Sequence, residues 1–210
     1  MMVLGVVFAL AGCAGTTATR NPDKIADNGK RNALLMSYDI QVLANDRHHR
    51  ADSAALELRC GSDSSACFAM QAPYKGRRVV GDYSFEEFAA SGADVFPMKY
   101  GVYNLSELVS SVVVDTETDV HCYEDKKGKT HCNESENLIL ETDRLALPAT
   151  MPFEVAPGPG CYFGHLSLVV RGDEIDSYSV DEGSLEEAIS QLSPALQSAA
   201  RAHVTTRCSK

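Results

Sequence analysis

The chain has 210 residues, with 29 acidic against 19 basic side chains and a formal net charge of −10. That negative excess argues against a nucleic-acid partner, which needs a basic face, and against holding an anionic membrane surface by charge. Hydrophobic residues at 44% and charged ones at 23% are globular values that exclude wholesale disorder, and the length suits one domain or two small ones.

Met1 to Leu10 is an apolar run too short to cross a bilayer as a helix, and it closes in Leu10-Ala11-Gly12-Cys13. Small residues directly before a cysteine, after such a run, have the layout of a secretory segment and its cleavage site. The four residues resemble the lipobox of bacterial lipoproteins, whose cysteine is acylated and becomes the first residue of the mature chain. The resemblance implies a signal peptide over residues 1–12, lipidation (palmitate) at Cys13, and contact with the membrane through that lipid, with an envelope protein as a further partner. Ala14 stands where Asp tends to hold such proteins at the inner membrane, which points to the outer membrane and its periplasmic side. One departure is that no basic residue precedes Arg20, although secretory leaders carry Lys or Arg near their start.

Thr, Ala, Asn, Asp and Gly with scattered charge fill the stretch to about Asn32, which reads as a flexible tether over residues 13–32. A β domain over 33–183 follows. Met36, Tyr38, Ile40 and Val42 alternate with polar residues, as do Ala54, Leu56, Leu58 and Cys60, the period of half-buried strands. Further strands are expected at Phe68 to Ala72, Arg77 to Val80, Met98 to Tyr103, Val112 to Asp115, Val120 to Glu124, Thr130 to Asn133, Leu138 to Thr142, Phe153 to Val155, Tyr162 to Val170 and Ile175 to Val180. Short strands at this spacing predict a mainly β fold, an antiparallel sandwich or barrel-like domain. Ser84-Phe85-Glu86-Glu87 and Ser184-Leu185-Glu186-Glu187 both match a capping box, with Ser at the N-cap and Glu at N3. The first predicts one short helical turn before Gly92. The second opens a C-terminal helical segment over 184–210, with Pro194 starting another helix that runs to about Val204 and with Leu185, Ile189, Leu192 and Leu196 facing the sheet.

Seven cysteines are present. With Cys13 carrying lipid, six remain for an oxidising compartment; of fifteen connectivities, local spacing favours Cys60–Cys67, Cys122–Cys132 and Cys161–Cys208. The middle pair has the firmest basis. Asp125 at i and Gly128 at i+3 fit a type I turn with a left-handed Gly128, so counting outward sets Glu124 opposite Thr130, Tyr123 opposite His131 and Cys122 opposite Cys132. Alternation makes the cysteines a non-hydrogen-bonded pair, within reach of a disulfide. A rival reading takes His121 and His131, which share a face diagonally, as ligands of zinc or copper with a third group from elsewhere. His121 and Cys122 point to opposite faces of a strand and cannot close on one ion together.

Phe153 to Leu166 reads as a strand, a Pro-Gly turn and a second strand in which Gly164 predicts a bulge. The stretch is similar to one in uncharacterised bacterial lipoproteins, an apolar strand, a Pro-Gly turn and then Tyr-x-Gly-x-Leu; that resemblance lends no catalytic residue. His165 inside it is expected to be structural or exposed. No nucleophile elbow, Ser-x-x-Lys, His-Glu-x-x-His, phosphate-binding loop or Cys-x-x-Cys redox pair appears along the chain. The expectation is therefore a lipid-anchored envelope protein with a disulfide-stapled β domain, non-enzymatic, without a cofactor, and acting through protein contacts or ligand binding. The alternative is a metal-binding or metal-dependent protein built on His121 and His131.

Overall fold

The computed structural model describes residues 18–45, 52–60 and 66–209. The expected secretory segment over residues 1–12 and the expected lipidation site Cys13 lie outside the described residues. Among the described residues nine strands form, β1 Arg31–Asn45, β2 Ser53–Cys60, β3 Ala66–Val80, β4 Tyr83–Lys99, β5 Gly101–Glu124, β6 Thr130–Val155, β7 Gly160–Arg171, β8 Glu174–Asp181 and β9 Val204–Arg207, with helices α1 Leu185–Ser190 and α2 Pro194–His203 between the last two. They join in one sheet of order β6-β5-β2-β3-β4-β1-β7-β8, with β9 beside β7. The sheet curls until β6 and β8 come near one another without a hydrogen-bonded ladder, a nearly closed barrel. The curl turns at β3, whose first half pairs with β2 and whose second half, from Tyr74, pairs with β4.

Alternation decides what each face buries. In β2, Ala54, Leu56, Leu58 and Cys60 are buried and their neighbours half-buried. Such side chains meet inside the barrel, where Phe68, Phe96, Phe153 and Phe163 interlock with ring centroids 4.9 to 6.0 Å apart. A second core lies outside the sheet, where α1, α2 and Ile25 cover the outward residues of β1, β4 and β7, among them Leu35, Val95 and Tyr162. The expected C-terminal segment is thus present and docked. Glu187 N–H donates to Ser184 Oγ at 3.3 Å, Pro194 begins α2, and Ile189, Leu192 and Leu196 are buried. The chain does not end as helix, because after His203 it becomes β9, pairing parallel with β7.

The three expected disulfides form, with Cα separations of 5.7, 4.0 and 4.8 Å for Cys60–Cys67, Cys122–Cys132 and Cys161–Cys208. The central hairpin keeps the expected register through Cys122↔Cys132, Tyr123↔His131 and Glu124↔Thr130, and Gly128 sits at φ 77°.

Several local expectations change. Ser84-Phe85-Glu86-Glu87 opens strand β4 rather than a helical turn. Partners on both sides offer ladder bonds that a single turn lacks, since Glu86 stands opposite both Ala44 and Arg77, with Arg77 Nε 3.1 Å from its carboxylate. Residues 18–30, expected as tether, pack on the domain. Thr19 N–H donates to Val95 C=O at 2.8 Å, a 3₁₀ turn forms over Pro22–Lys24, and Ile25 is fully buried. Expected short strands merge into long ones, as in β3, β5 and β6. The sheet is also mixed, since β1 runs parallel to β7.

Leu196 is fully buried in the outer core while Leu185 is only partly so. Leu196→Ala should therefore lower unfolding stability by about 2–5 kcal/mol, with Leu185→Ala costing clearly less, as read from urea titrations. Equal losses would mean that the helices do not pack as described.

Candidate functional site

A connected polar cluster lies where the outward face of β1 leaves the cover of the helices. Ser37 and Asp39, two apart on β1, share that face with Leu35. On β7 the chain bulges at Gly164 (φ 128°), where any Cβ would meet Asp181 C=O at 2.5 Å. The bulge brings Tyr162 opposite Leu35 and His165 opposite Ser37. Ser37 Oγ then lies 2.8 Å from Tyr162 Oη and 3.1 Å from His165 Nδ1, and His165 Nε2 lies 3.4 Å from Asp39 Oδ2.

A serine, an imidazole and a carboxylate in a chain is the arrangement that activates a hydroxyl nucleophile. Here its hydroxyl end points into the protein. Ser37 is only 4% exposed, and Tyr162 beyond it is 1% exposed. Gly183 closes over that phenol so tightly that a Cβ there would stand 2.4 Å from Tyr162 Oη. Arg207 on β9 lies over the Tyr162 ring at 5.8 Å and donates to Gly183 C=O at 2.9 Å, fixing the cover. The cluster therefore acts as a polar rivet between β1, β7 and the loop into α1. His165, expected to be structural or exposed, is 28% exposed and contacts Ser37 and Asp39, partners that carried no mark in the sequence beyond strand alternation.

The two histidines of the metal alternative lie on the β5–β6 hairpin. His131 stacks on Tyr123 with ring centroids 5.4 Å apart, and its Nε2 is 3.2 Å from Asp125 Oδ2. His121 stands opposite Asn133, one rung beyond the cysteines. Among the described residues no group of three or more His, Cys, Asp or Glu side chains is placed to hold a metal ion. Asp125 instead serves the turn. Its carboxylate accepts from the N–H groups of Lys129 at 3.0 Å and Lys127 at 2.8 Å, and these bonds, first that from Lys129, hold it below the usual carboxylate range.

Polar clasps hold the Pro-Gly turn. Asn32, 3% exposed, donates through Nδ2 to the carbonyls of Ala156, Pro159 and Gly158 at 2.8, 3.0 and 3.1 Å. Asp27 accepts from the N–H groups of Gly158 and Gly29, each at 2.7 Å, and from the Tyr100 hydroxyl. The bond from Gly158 above all keeps the Asp27 carboxyl below its ordinary value. On the inner face, burial first and then a 2.7 Å bond to Asp94 push the Tyr38 phenol above its usual range. One shallow cleft lies beside Val42, Asn45, Ser110, Glu141, Asp143 and Gly172, with about 20 Å³ of enclosed space, room for about one water.

The chain matches no protein-family model, no curated protein and no solved structure.

Because folding depresses the Asp27 carboxyl, its contribution is complete above the ordinary value of 3.8 and is lost as pH falls from there through the folded value. Asp27→Asn should flatten the acid limb of stability below about pH 4, read as the difference in melting temperature between variant and parent across pH 2–6. An unchanged limb would show that the clasp contributes nothing.

Proposed function

We propose that this chain is a lipid-anchored, non-enzymatic protein of the bacterial envelope, held through Cys13 at the outer membrane and working in the periplasm through protein contacts. The observation that carries the reading is the count of thiols. Three disulfides use six of the seven cysteines and leave over the one that ends Leu10-Ala11-Gly12-Cys13. Structural disulfides belong to oxidising compartments, and acylation of Cys13 accounts for the odd residue. A docked segment from residue 18 onward leaves a short link to such an anchor, so the domain would sit close to the bilayer.

Protein contact is better supported than small-molecule binding. The interior of the barrel is filled by aromatic rings, and the cleft has room for about one water. Among the described residues, large exposed apolar side chains occur on the β5–β6 hairpin at Val120, Tyr123, Ile139 and Leu140, and also on β3 at Tyr74 and Val79, on β4 at Tyr83 and at Val102 near the start of β5. The best nucleophile geometry, at Ser37, is sealed by Tyr162 and Gly183, which favours a non-catalytic role.

Cys13→Ser should release the protein from the membrane fraction or leave it unprocessed at higher mass, as followed by fractionation and intact-mass measurement. Several acyl chains hold far more firmly than one, at about 0.8 kcal/mol per buried CH₂. A variant that still sediments with membranes at the mature mass would overturn the anchor.

A further inference from the structure

The β5–β6 hairpin runs past the barrel as an arm. Among the described residues β2 accompanies β5 only as far as Ser111, and from Asp115↔Ile139 to Glu124↔Thr130 the ladder is two-stranded, extending about 30 Å at about 3.3 Å per residue. A lone two-stranded ribbon is marginal in water. Cys122–Cys132 is the covalent tie across it, and both of its cysteines are exposed. The other pairs are different. Cys60, Cys67, Cys161 and Cys208 are 4–9% exposed and belong to the inner core, so a thiol reaches them only when the barrel opens.

We infer that Cys122–Cys132 is a site of thiol–disulfide exchange, opened by a dithiol reductant while the two core disulfides stay closed, and that its opening loosens the arm without unfolding the barrel. The dithiol's thiolate attacks one sulfur of the pair, forming a mixed disulfide and releasing the other cysteine as a thiolate that takes up a proton. The dithiol's second thiol then displaces the first cysteine. The products are Cys122 and Cys132 as thiols and the reductant as its disulfide, a two-electron transfer in which the dithiol is oxidised. Access sets the selectivity, because attack needs the sulfur within reach of the incoming thiolate. The structural consequence follows from the ladder: among the described residues β2 pairs with β5 no further than Ser111, so no described third strand holds the released ribbon.

The inference extends the envelope reading, in which dithiol proteins are the natural reductants, but its test is independent of the anchor. Purified full-length chain in detergent is treated with graded dithiothreitol, quenched with an alkylating agent and mapped by peptide mass, while hydrogen exchange is followed over residues 115–139. Cys122 and Cys132 should be labelled more than about tenfold faster than the other four, with exchange rising on the arm and unchanged in β1, β4 and β7. A Cys122→Ser/Cys132→Ser variant should reproduce the raised arm exchange with its other disulfides intact. Labelling of either core pair at the same rate would overturn the selective exchange, and an arm equally protected in the double variant would overturn its loosening. Both results leave the Cys13→Ser fractionation to decide the envelope reading separately.

Discussion

Strand β1 carries the constraint on which the architecture depends, because it must be buried on both faces. From Asn32 to Ser37 no residue is exposed: Leu34 and Met36 face the aromatic interior while Ala33 and Leu35 face the helices. A strand apolar on both sides needs cover on both sides. The barrel supplies one cover, and the segment around Ile25 with α1 and α2 supplies the other. Its neighbours follow: β4 runs antiparallel along the whole of β1, and β7 takes the other edge in parallel. A parallel pairing cannot close through a tight turn, so the route from β1 to β7 passes through every strand between them. That path is what bends the sheet into a barrel.

The C-terminal segment follows from the same demand. β7 lies between β1 and β8, yet its first residues also pair with β9 beyond the point where β8 ends. That arrangement lets Cys208 reach Cys161, and it brings Arg207 over Tyr162. Tyr162 in turn holds Ser37 on β1. One short strand therefore connects the end of the chain to both cores. Gly183 at φ 55° is the position where this arrangement admits no side chain, because a Cβ would strike the Tyr162 hydroxyl.

Much of the fold was legible where local signals determine structure. Asp125 and Gly128 set the hairpin register, since a turn type and alternation leave no freedom in the count. The Ser184 box and Pro194 located the helices, because capping acts within one turn. What failed depended on distant partners. Ser84-Phe85-Glu86-Glu87 carries the same helix-start pattern as Ser184-Leu185-Glu186-Glu187, but Arg77, Arg78 and Gln41 meet its carboxylates across neighbouring strands. Residues 18–30 look like linker by composition, and Ile25 filling an outer gap, with the Thr19–Val95 and Gly158–Asp27 hydrogen bonds, makes them part of the domain. The parallel β1–β7 pairing and the Ser37–His165–Asp39 rivet were invisible for the same reason, since nothing in either strand alone names its partner.

The placement of the disulfides separates two uses of the same bond. Cys60–Cys67 and Cys161–Cys208 lie in the inner core, where burial already holds the strands and the bond adds to a cooperative unit. Cys122–Cys132 lies where no core exists, between exposed residues on a ribbon with Val120 and Tyr123 open to solvent. A short loop of that kind contributes about 2–3 kcal/mol in the chain-entropy account, and that energy acts on a stretch which, among the described residues, pairs as two strands only. Its effect is on the arm itself, keeping the two strands in register so that their exposed side chains stay in a fixed arrangement. Such an arrangement is of use to a surface that meets a partner and of no use to a core. On the proposed reading, in which the chain works through protein contacts, that fixed surface is what a partner would meet.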